Sequence, residues 1–224
     1  METDLHILAS GPVEDAALAL VTAIRHEIEI YIHSHPDFPR ALTPLPDTPD
    51  APAPIRAMLK AARQAGVGPM AAVAGTIAEF VGRELRRSGQ EEIIVENGGD
   101  IYVQRNQACT IGVYAGQSPL SGRVGIRLAA EQMDCGVCTS SASIGHSLSL
   151  GASDAAVVVA PSTPLADALA TRLGNEVKAG ARGLDRALAL AKEMDHIHGV
   201  VLIAGDRLGA CGNIELVRLE LGKN

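Results

Sequence analysis

The chain has 224 residues, a formal net charge of −7 and 47% hydrophobic residues, with only two Phe, three Tyr and no Trp. An acidic protein repels phosphate backbones, and single-stranded bases stack on aromatic side chains that this chain largely lacks, which argues against nucleic acid as a partner. The N-terminus has neither the basic nor the apolar region of a signal peptide, and no apolar run reaches the roughly 18 residues of a membrane span. We therefore expect a cytoplasmic protein without a membrane partner.

The first part of the chain is predicted to be helical apart from one long crossing. Apolar residues at helical spacing predict a helix over about 13–35. The proline-rich segment 36–54 has no periodicity, so we expect an irregular crossing that Phe38, Leu42 and Leu45 hold on the surface of the domain. Two further helices, one closed by glycine and one opened by proline, are predicted over 54–65 and 69–87.

After residue 92 the periodicity changes from helices to strands. The predicted strands cover 93–95, 101–103, 110–114, 124–128 and 155–160, and the last is apolar throughout, as a central strand is. Two more helices are predicted over 163–177 and 184–194, before a closing hairpin that pairs 200–204 with 214–219. Helices in blocks that alternate with meandering strands indicate an α+β fold, with mainly antiparallel sheets packed against helices in a single domain spanning 1–224.

The turn between the first two predicted strands is the first candidate site. Asn97, Gly98, Gly99 and Asp100 form it. Two adjacent glycines allow the backbone to approach a ligand closely, and their free amides can bind an anion, while Asn97 and Asp100 would orient the ligand or hold a cation. The same residues are also typical of a tight hairpin without a ligand, so the turn alone leaves both interpretations open.

A run of hydroxyl side chains after Cys138 is the second candidate site. Thr139, Ser140 and Ser141 are suited to hydrogen bonds with phosphate or ribose oxygens, and His146 can exchange a proton near neutral pH. The alternative is a polar loop between strands. Because the spacing pairs no base with a nucleophile, the run gives no support to serine hydrolysis.

The third candidate lies on the helix predicted to begin at residue 163. Asp167 and Thr171 are four residues apart and share one face of that helix. A carboxylate and a hydroxyl are hard oxygen ligands suited to Mg²⁺, which takes few protein ligands and keeps water or phosphate oxygens. Alternatively, Asp167 only complements the positive end of the helix dipole.

These motifs, in this order, resemble those of the ApbE-like superfamily, which is best known for magnesium-dependent flavin transferases. The turn at Asn97 is similar to the family's Gly-Gly-Asp-Ile hairpin, and the run from Thr139 to its Thr-Ser-Gly segment. The segment 166–171 resembles Ala-Asp-Ala-Leu-Ser/Ala-Thr, and 68–75 stands where the family has Gly-Ala-Ile-Ala-Lys-Gly. Over its whole length the chain looks more like a shorter, uncharacterised prokaryotic branch of that superfamily.

The resemblance implies an ApbE-like fold and a chemistry. In the transferases, FAD is cleaved at its pyrophosphate and FMN is moved to a threonine of an acceptor protein. By resemblance, Asp167 and Thr171 bind Mg²⁺ together with a backbone carbonyl near Ala71. Asp167 and His146 then serve catalysis, and the glycine turn and the hydroxyl run contact FAD, FMN or another phosphorylated small molecule. The sequence names no acceptor protein, and a homodimer is expected on the general ground that symmetric dimers are the commonest oligomers.

Two departures from the family pattern keep other functions open. Ala74 replaces the family's lysine, which removes a cation near the cofactor, and the family's His-x-x-Asp-Pro-x-x-Gly segment is reduced to 146–151. One hypothesis is an Mg²⁺-dependent enzyme acting on a flavin dinucleotide or a related nucleotide. A second is a protein that binds a flavin or another phosphorylated ligand without transferring it. A third is an assembly component that has lost the site.

For the cysteines and for a group of arginines, a structural role is favoured over a ligand site. Cys135 and Cys138 have the spacing of half a zinc site, but the chain has no second such pair, so a structural role is favoured. The few cysteines also fit a reduced compartment better than a disulfide scaffold. Arg83, Arg86 and Arg87 are expected to form a solvated helix face.

Two His-x-His pairs also have both a metal-binding and a structural interpretation. His33 and His35 end the first predicted helix, and His196 and His198 precede a predicted strand. Together the pairs would be able to bind zinc. Histidine often caps carbonyl groups at helix ends, and that is the favoured interpretation.

Overall fold

The computed structural model describes residues 3–141, 152–177, 181–195 and 197–220. Within them, α-helices lie at Glu14–Ser34 (α1), Ala53–Ala65 (α2), Val73–Arg87 (α3), Thr163–Glu176 (α4) and Ala181–Lys192 (α5). Strands lie at Leu5–Ala9 (β1), Ile93–Asn97 (β2), Asp100–Gln104 (β3), Cys109–Val113 (β4), Val124–Leu128 (β5), Cys135–Ser140 (β6), Ala155–Ala160 (β7), Gly199–Ala204 (β8), Arg207–Gly212 (β9) and Glu215–Arg218 (β10). Short 3₁₀ turns cover Pro69–Ala72, directly before α3, and Ala130–Gln132.

The strands form two sheets. Seven strands form one sheet in the order β1-β2-β3-β6-β7-β8-β9, and three form a second in the order β10-β5-β4. Every strand pairing among the described residues is antiparallel. The predicted α+β fold with mainly antiparallel sheets packed against helices is therefore confirmed.

The centre of the large sheet is buried on both faces. On one face, Ala156 and Val158 of β7 belong to the core that the sheet shares with the helices. On the other face, Val157 and Val159 belong to a second core shared with the three-stranded sheet. Successive side chains of a strand alternate between faces, which explains why β7 contains no polar residue. The helices thus cover one face of the large sheet, and the small sheet covers the other.

Three strands of the large sheet were not predicted from the sequence: β1, β6 and β9. At the edge of the sheet, β1 pairs with β2 so that Ile7 lies opposite Val95, and Leu8 stays 69% exposed. In β6 the apolar pattern is interrupted by a glycine and ends in hydroxyl residues. These strands are specified by their neighbours in the sheet more than by their own β propensity.

The predicted closing hairpin is wrong. β8 pairs with β9, where Val201 lies opposite Ala210, while β10 joins the small sheet and pairs Leu216 with Ile126. The strand β9 was not predicted because its sequence is rich in small residues, which have a low β propensity. A Cβ on its Gly209 would lie 2.3 Å from a methyl carbon of the α5 leucine beside it, so small residues are needed where β9 meets that helix.

The proline-rich crossing is irregular as predicted, up to the start of α2. Phe38 is 1% exposed and contacts the ring of Tyr31 edge-on, with ring centroids 5.2 Å apart. Leu45 packs against the helical core. Leu42 does not contribute, because it is 69% exposed. Two of the three predicted anchors therefore hold the crossing.

In the described part of the chain, no single helix is both long and apolar enough to span a membrane. Only α2 taken together with Pro69–Arg87, a pair bent by 106°, has the necessary length and composition.

Helix α3 packs against the large sheet through Gly82. A Cβ at this position would lie 2.2 Å from Cδ1 of Tyr102, whose side chain is only 1% exposed beneath the helix. Such a distance is far below van der Waals contact. The glycine therefore lets α3 approach β3 closely, and this contact determines the distance between the helix and the sheet.

We expect Gly82→Ala to lower the free energy of unfolding by about 1–3 kcal/mol, because the added methyl group displaces either the ring of Tyr102 or the helix. At an unobstructed helical position the same change stabilises by up to about 1 kcal/mol, since alanine has the higher helix propensity. Urea unfolding followed by circular dichroism measures the difference, with Lys60→Ala at an exposed position of α2 as the control. A Gly82→Ala protein as stable as the parent would contradict the packing described.

Candidate functional site

Helices α3 and α4 cap each other through two buried carboxylates. Oδ2 of Asp167, in the second turn of α4, accepts the backbone N–H of Gly75 at 2.9 Å, in the first turn of α3. Oε2 of Glu79 in α3 accepts the N–H of Thr163, the first residue of α4, at 2.6 Å. Neither helix has a side-chain cap from its own N-cap residue, and the first amides of a helix lack partners within it. Each helix therefore supplies a cap that the other needs.

This arrangement requires glycine at position 75. A Cβ there would lie 2.6 Å from the carbonyl oxygen of Thr163 and 2.9 Å from Cβ of Asp167. The two helices therefore meet through backbone at this point, which brings the carboxylate of Asp167 to the start of α3. The positive end of the α3 dipole favours negative charge there.

The glycine turn joins the same place. Asn97 and Asp100 pair across the end of the β2–β3 hairpin, and both turn residues between them have positive φ, 64° at Gly98 and 100° at Gly99. Nδ2 of Asn97 donates to the carbonyl oxygen of Ala74 at 3.1 Å, so the turn is tied to the first residues of α3. The hairpin and the helix N-terminus therefore form one continuous surface.

Asp100 is the second buried carboxylate of this surface. It is 9% exposed, lies opposite Cys138 in the neighbouring strand, and its Oδ1 has no hydrogen-bond partner among the described residues. Burial raises the pKa of Asp100 to about 7, although the neighbouring Cys138 thiol and Thr139 amide oppose that rise. An unpartnered buried carboxylate oxygen is costly, so a ligand that contacts this oxygen gains affinity from it.

The two carboxylates at this surface repel each other. The pKa of Asp167 is raised well above its ordinary value, first by burial and then by the charge of Asp100, while the amides of Gly75 and Ala74 lower it. The pKa of the Cys138 thiol is raised by burial and then by both carboxylates, so Cys138 is a protonated thiol and not a nucleophile. A proton or a bound cation would remove this repulsion.

The other two predicted metal ligands lie on α4 and on the 3₁₀ turn that packs against it. Thr171 follows Asp167 by one turn of α4 and is half-buried, and Ala71 lies in the 3₁₀ turn. In the described part of the chain, no cluster of three or more His, Cys, Asp and Glu side chains is arranged to hold a metal ion. The residues present fit Mg²⁺ on two grounds: hard oxygen donors, and the unpartnered oxygen of Asp100.

Comparison with known proteins assigns the family. A family model described as AbpE bacteria matches residues 1–208. The chain belongs to this family. A UPF0280 protein of Methanococcus aeolicus is 42% identical over 193 residues, covering 85% of this chain and 78% of that protein. A UPF0280 protein of Methanocella arvoryzae is 38% identical over 221 residues, covering 98% of this chain and 89% of that protein.

Solved structures of ApbE proteins show a weaker similarity to this AbpE family member. The flavin transferase ApbE from Vibrio cholerae aligns with 95% of this chain and 79% of its own, at 16% identity and a TM-score of 0.48. The ApbE protein of Thermotoga maritima aligns with 64% of this chain and 50% of its own, at 17% identity and a TM-score of 0.48. The assignment rests on the family model and the sequence relatives, and it confirms the predicted membership of the ApbE-like superfamily.

The hydroxyl run lies only partly in a loop. Thr139 and Ser140 are the last residues of β6, and Ser141 follows the strand. The N–H of Thr139 donates to the carbonyl oxygen of Gly99 at 3.2 Å, which joins the run to the glycine turn. A polar loop between strands is therefore the wrong interpretation for the first two residues, and His146 lies outside the described residues.

Ser140 faces the helix that carries Asp167. A Cβ on Gly174 of α4 would lie 3.2 Å from Oγ of Ser140 and 3.5 Å from Oγ of Ser153. Ser153 is 1% exposed and its hydroxyl has no hydrogen-bond partner among the described residues. The glycine in α4 thus keeps space beside two hydroxyl groups on the same side of the sheet.

The cysteine pair and His35 behave as their simpler interpretations predict. Cys135 and Cys138 are both buried free thiols, consistent with a structural role. His35 follows the last residue of α1, and its ring stacks on Tyr31 with centroids 3.9 Å apart. Its Nδ1 is 3.0 Å from the carbonyl oxygen of Tyr31. His196 lies outside the described residues, so the second pair stays a prediction.

Glu79 is the residue that sequence reasoning missed. It is 5% exposed and lies on the core side of α3, where its Oε1 also pairs with Arg83 at 3.1 Å. Burial raises the pKa of Glu79, while Arg83 and the Thr163 amide lower it. The signal in the sequence was an acidic residue within an otherwise apolar helical stripe, four residues before an arginine.

The raised pKa of Asp100 predicts how stability depends on pH without divalent cations. Between the ordinary value of 3.8 and the folded value of about 7, the folded protein keeps a proton that the unfolded chain has lost. The free energy of unfolding therefore falls as the pH rises through this window. Because a tenfold change in proton affinity corresponds to about 1.4 kcal/mol, the cost of ionising Asp100 above pH 7 reaches at most about 4 kcal/mol.

We expect Asp100→Asn to remove much of this pH dependence and to be more stable than the parent at pH 8 in EDTA, because asparagine carries no charge to bury. Urea unfolding at pH 5 and pH 8 measures the effect. Asp185→Asn is the matched control, since Asp185 is 64% exposed. Equal pH dependence in the parent and in Asp100→Asn would show that another group is responsible.

Proposed function

We propose that this protein is an Mg²⁺-dependent enzyme that binds FAD with its pyrophosphate at the start of α3 and cleaves the pyrophosphate bond, so that AMP leaves and FMN is transferred to a threonine hydroxyl of an acceptor protein. One observation carries the proposal: the buried carboxylates of Asp100 and Asp167 repel each other at a helix N-terminus, and Asp100 has an unpartnered oxygen. A bound Mg²⁺ would neutralise the pyrophosphate and the charge that develops on it. Membership of the AbpE family supports the choice of a flavin nucleotide.

The chain's own residues would hold the cation in a fixed place. Asp167 is fixed by the amide of Gly75, and it reaches this position because the two helices touch at that glycine. Thr171 and the carbonyl group near Ala71 are the further oxygen donors that we assign to the cation. The rigid contact between α3 and α4 supports this assignment, since a metal site needs ligands whose positions do not change on binding.

The hairpin and the end of β6 would contact the nucleotide. Gly98 and Gly99 leave backbone amides without side chains around them, and a Cβ on Gly98 would meet nothing within 4 Å. Such open amides suit phosphate oxygens. Thr139 and Ser140 lie beside this turn and offer hydroxyls to the phosphates or the ribose. We assign the proton transfers to His146 by family resemblance.

A second candidate function is supported by Ala74. This residue stands where the ApbE family has a lysine, and its carbonyl oxygen accepts the hydrogen bond from Asn97. Without a cation at this position the site has less positive charge to offer the cofactor. A protein that binds a flavin or another phosphorylated ligand without transferring it is therefore the alternative.

We expect FAD to raise the melting temperature by about 5–10 °C in the presence of Mg²⁺ and far less in EDTA. A ligand at 100 times its dissociation constant adds about 2.7 kcal/mol of stability, and about 2–4 °C corresponds to each kcal/mol at this chain length. Asp167→Asn should lose the Mg²⁺-dependent shift while keeping its fold, because the amide oxygen of asparagine can still accept the Gly75 N–H. Asp185→Asn, changed on an exposed helical face, should respond like the parent.

The products then separate the hypotheses. If the protein is an enzyme, it should release AMP from FAD in the presence of Mg²⁺, and Asp167→Asn should abolish this release. Chromatography measures the AMP. Saturable, Mg²⁺-dependent binding of FAD, FMN or ADP without AMP release would instead establish the binding protein. No saturable binding of any of these ligands, with or without Mg²⁺, would contradict both and favour the assembly component.

A further inference from the structure

A pocket of about 490 Å³ lies at the opposite end of α3 from Asp167. It is lined by Arg83, Arg86, Arg87, Tyr102 and Asp134. The three arginines are at positions i, i+3 and i+4 and therefore share one face of the last turns of the helix. This volume is within the range of about 300–1,000 Å³ that small-molecule sites occupy.

One wall of this arginine pocket is formed by Tyr102, Asp134 and Arg83, which are joined by hydrogen bonds. Tyr102 is 1% exposed, and its hydroxyl donates to Oδ2 of Asp134 at 3.1 Å. The same Asp134 oxygen lies 3.3 Å from a guanidinium nitrogen of Arg83. The same nitrogen of Arg83 also pairs with the buried Glu79 at 3.1 Å, and Glu79 itself accepts the N–H of Thr163. The guanidinium of Arg83 is therefore fixed in position before any ligand arrives.

The lining of the pocket is rich in arginine although the protein as a whole is acidic. The chain carries a net charge of −7, whereas the pocket is lined by three arginines and one aspartate. Arg87 pairs with Glu84, and Arg83 with Glu79 and Asp134. None of the described residues forms an ion pair with Arg86. Basic residues also stabilise a helix C-terminus, which explains their presence at the end of α3 but not the Tyr102–Asp134 pair beneath them.

We propose that the arginine pocket binds a small phosphorylated metabolite that also carries a hydroxyl group. Guanidinium groups match the geometry of phosphate oxygens, and Arg86 and Arg83 are the groups that receive the phosphate. The carboxylate of Asp134 has acceptor sites left for a ligand hydroxyl. Gly75 and Arg83 are eight residues apart on α3, which corresponds to about 12 Å along the helix axis. The proposal therefore does not rest on the function assigned to Asp167.

The test is isothermal titration with glycerol 3-phosphate, inorganic phosphate and glycerol as probes, in EDTA so that no cation site contributes. We expect saturable binding of glycerol 3-phosphate, weaker binding of inorganic phosphate and none of glycerol. Arg86→Gln should weaken glycerol 3-phosphate binding at least tenfold, because Arg86 is exposed and its loss does not disturb the core. Asp134→Asn should remove the preference for glycerol 3-phosphate over inorganic phosphate.

Two controls separate this site from the rest of the surface. Arg63→Gln removes another exposed arginine, which lies on α2 and pairs with Asp47 of the proline-rich crossing, and should leave the dissociation constants unchanged. Asp167→Asn should also leave them unchanged, which distinguishes this pocket from the proposed flavin site. Equal binding by Arg86→Gln and the parent, or no binding at 10 mM of either phosphate probe, would overturn the proposal.

Discussion

The reciprocal capping of α3 and α4 is the interaction on which the rest of the site depends. Asp167 of α4 accepts an amide from the start of α3, and Glu79 of α3 accepts the first amide of α4. Both carboxylates are buried, so each is costly unless its hydrogen bonds are kept. The two helices meet through backbone at Gly75, which leaves little freedom in their relative position. A change in that contact would uncap both helices at once.

The same contacts define both ends of α3. At its start, the glycine turn is tied to Ala74 and the end of β6 to the glycine turn, and the charge of Asp100 acts on the buried Asp167. Further along the helix, one carboxylate oxygen of Glu79 accepts the first amide of α4 and the other pairs with Arg83. This pair holds the Arg83 side chain in the arginine pocket. Helix α3 therefore positions two different groups of charged residues, an acidic one at its start and a basic one near its end.

Much of this architecture could be predicted from the sequence, for reasons that differ between elements. Apolar periodicity indicated α1 and α3, while proline or glycine at a helix end indicated α2 and α4. The glycine turn and the pair Asp167/Thr171 were visible because their chemistry is local in sequence. By contrast, β1, β6 and β9 are specified by partners elsewhere in the sheet, and the last strand was paired wrongly because β9 has few β-branched residues.

The interaction between Asp100 and Asp167 could not be predicted from the sequence pattern. It depends on three packing events: β6 beside β3, α3 on the sheet, and α4 against Gly75. Glu79 was missed for a related reason, since a buried glutamate is recognisable only when its partner amide on another helix is known. The role of His146 stays a prediction, because that residue lies outside the described part of the chain.

The most direct test of the account is anomalous diffraction from crystals of the protein soaked with Mn²⁺, a heavier substitute for Mg²⁺. The account predicts one strong anomalous peak about 2.0–2.3 Å from a carboxylate oxygen of Asp167, with Asp100 beside it. The Asp167 oxygen that accepts the Gly75 N–H would keep that bond. Absence of a peak there, with Asp167 bound only to the α3 amides, would show that the carboxylate is a helix cap and not a metal ligand.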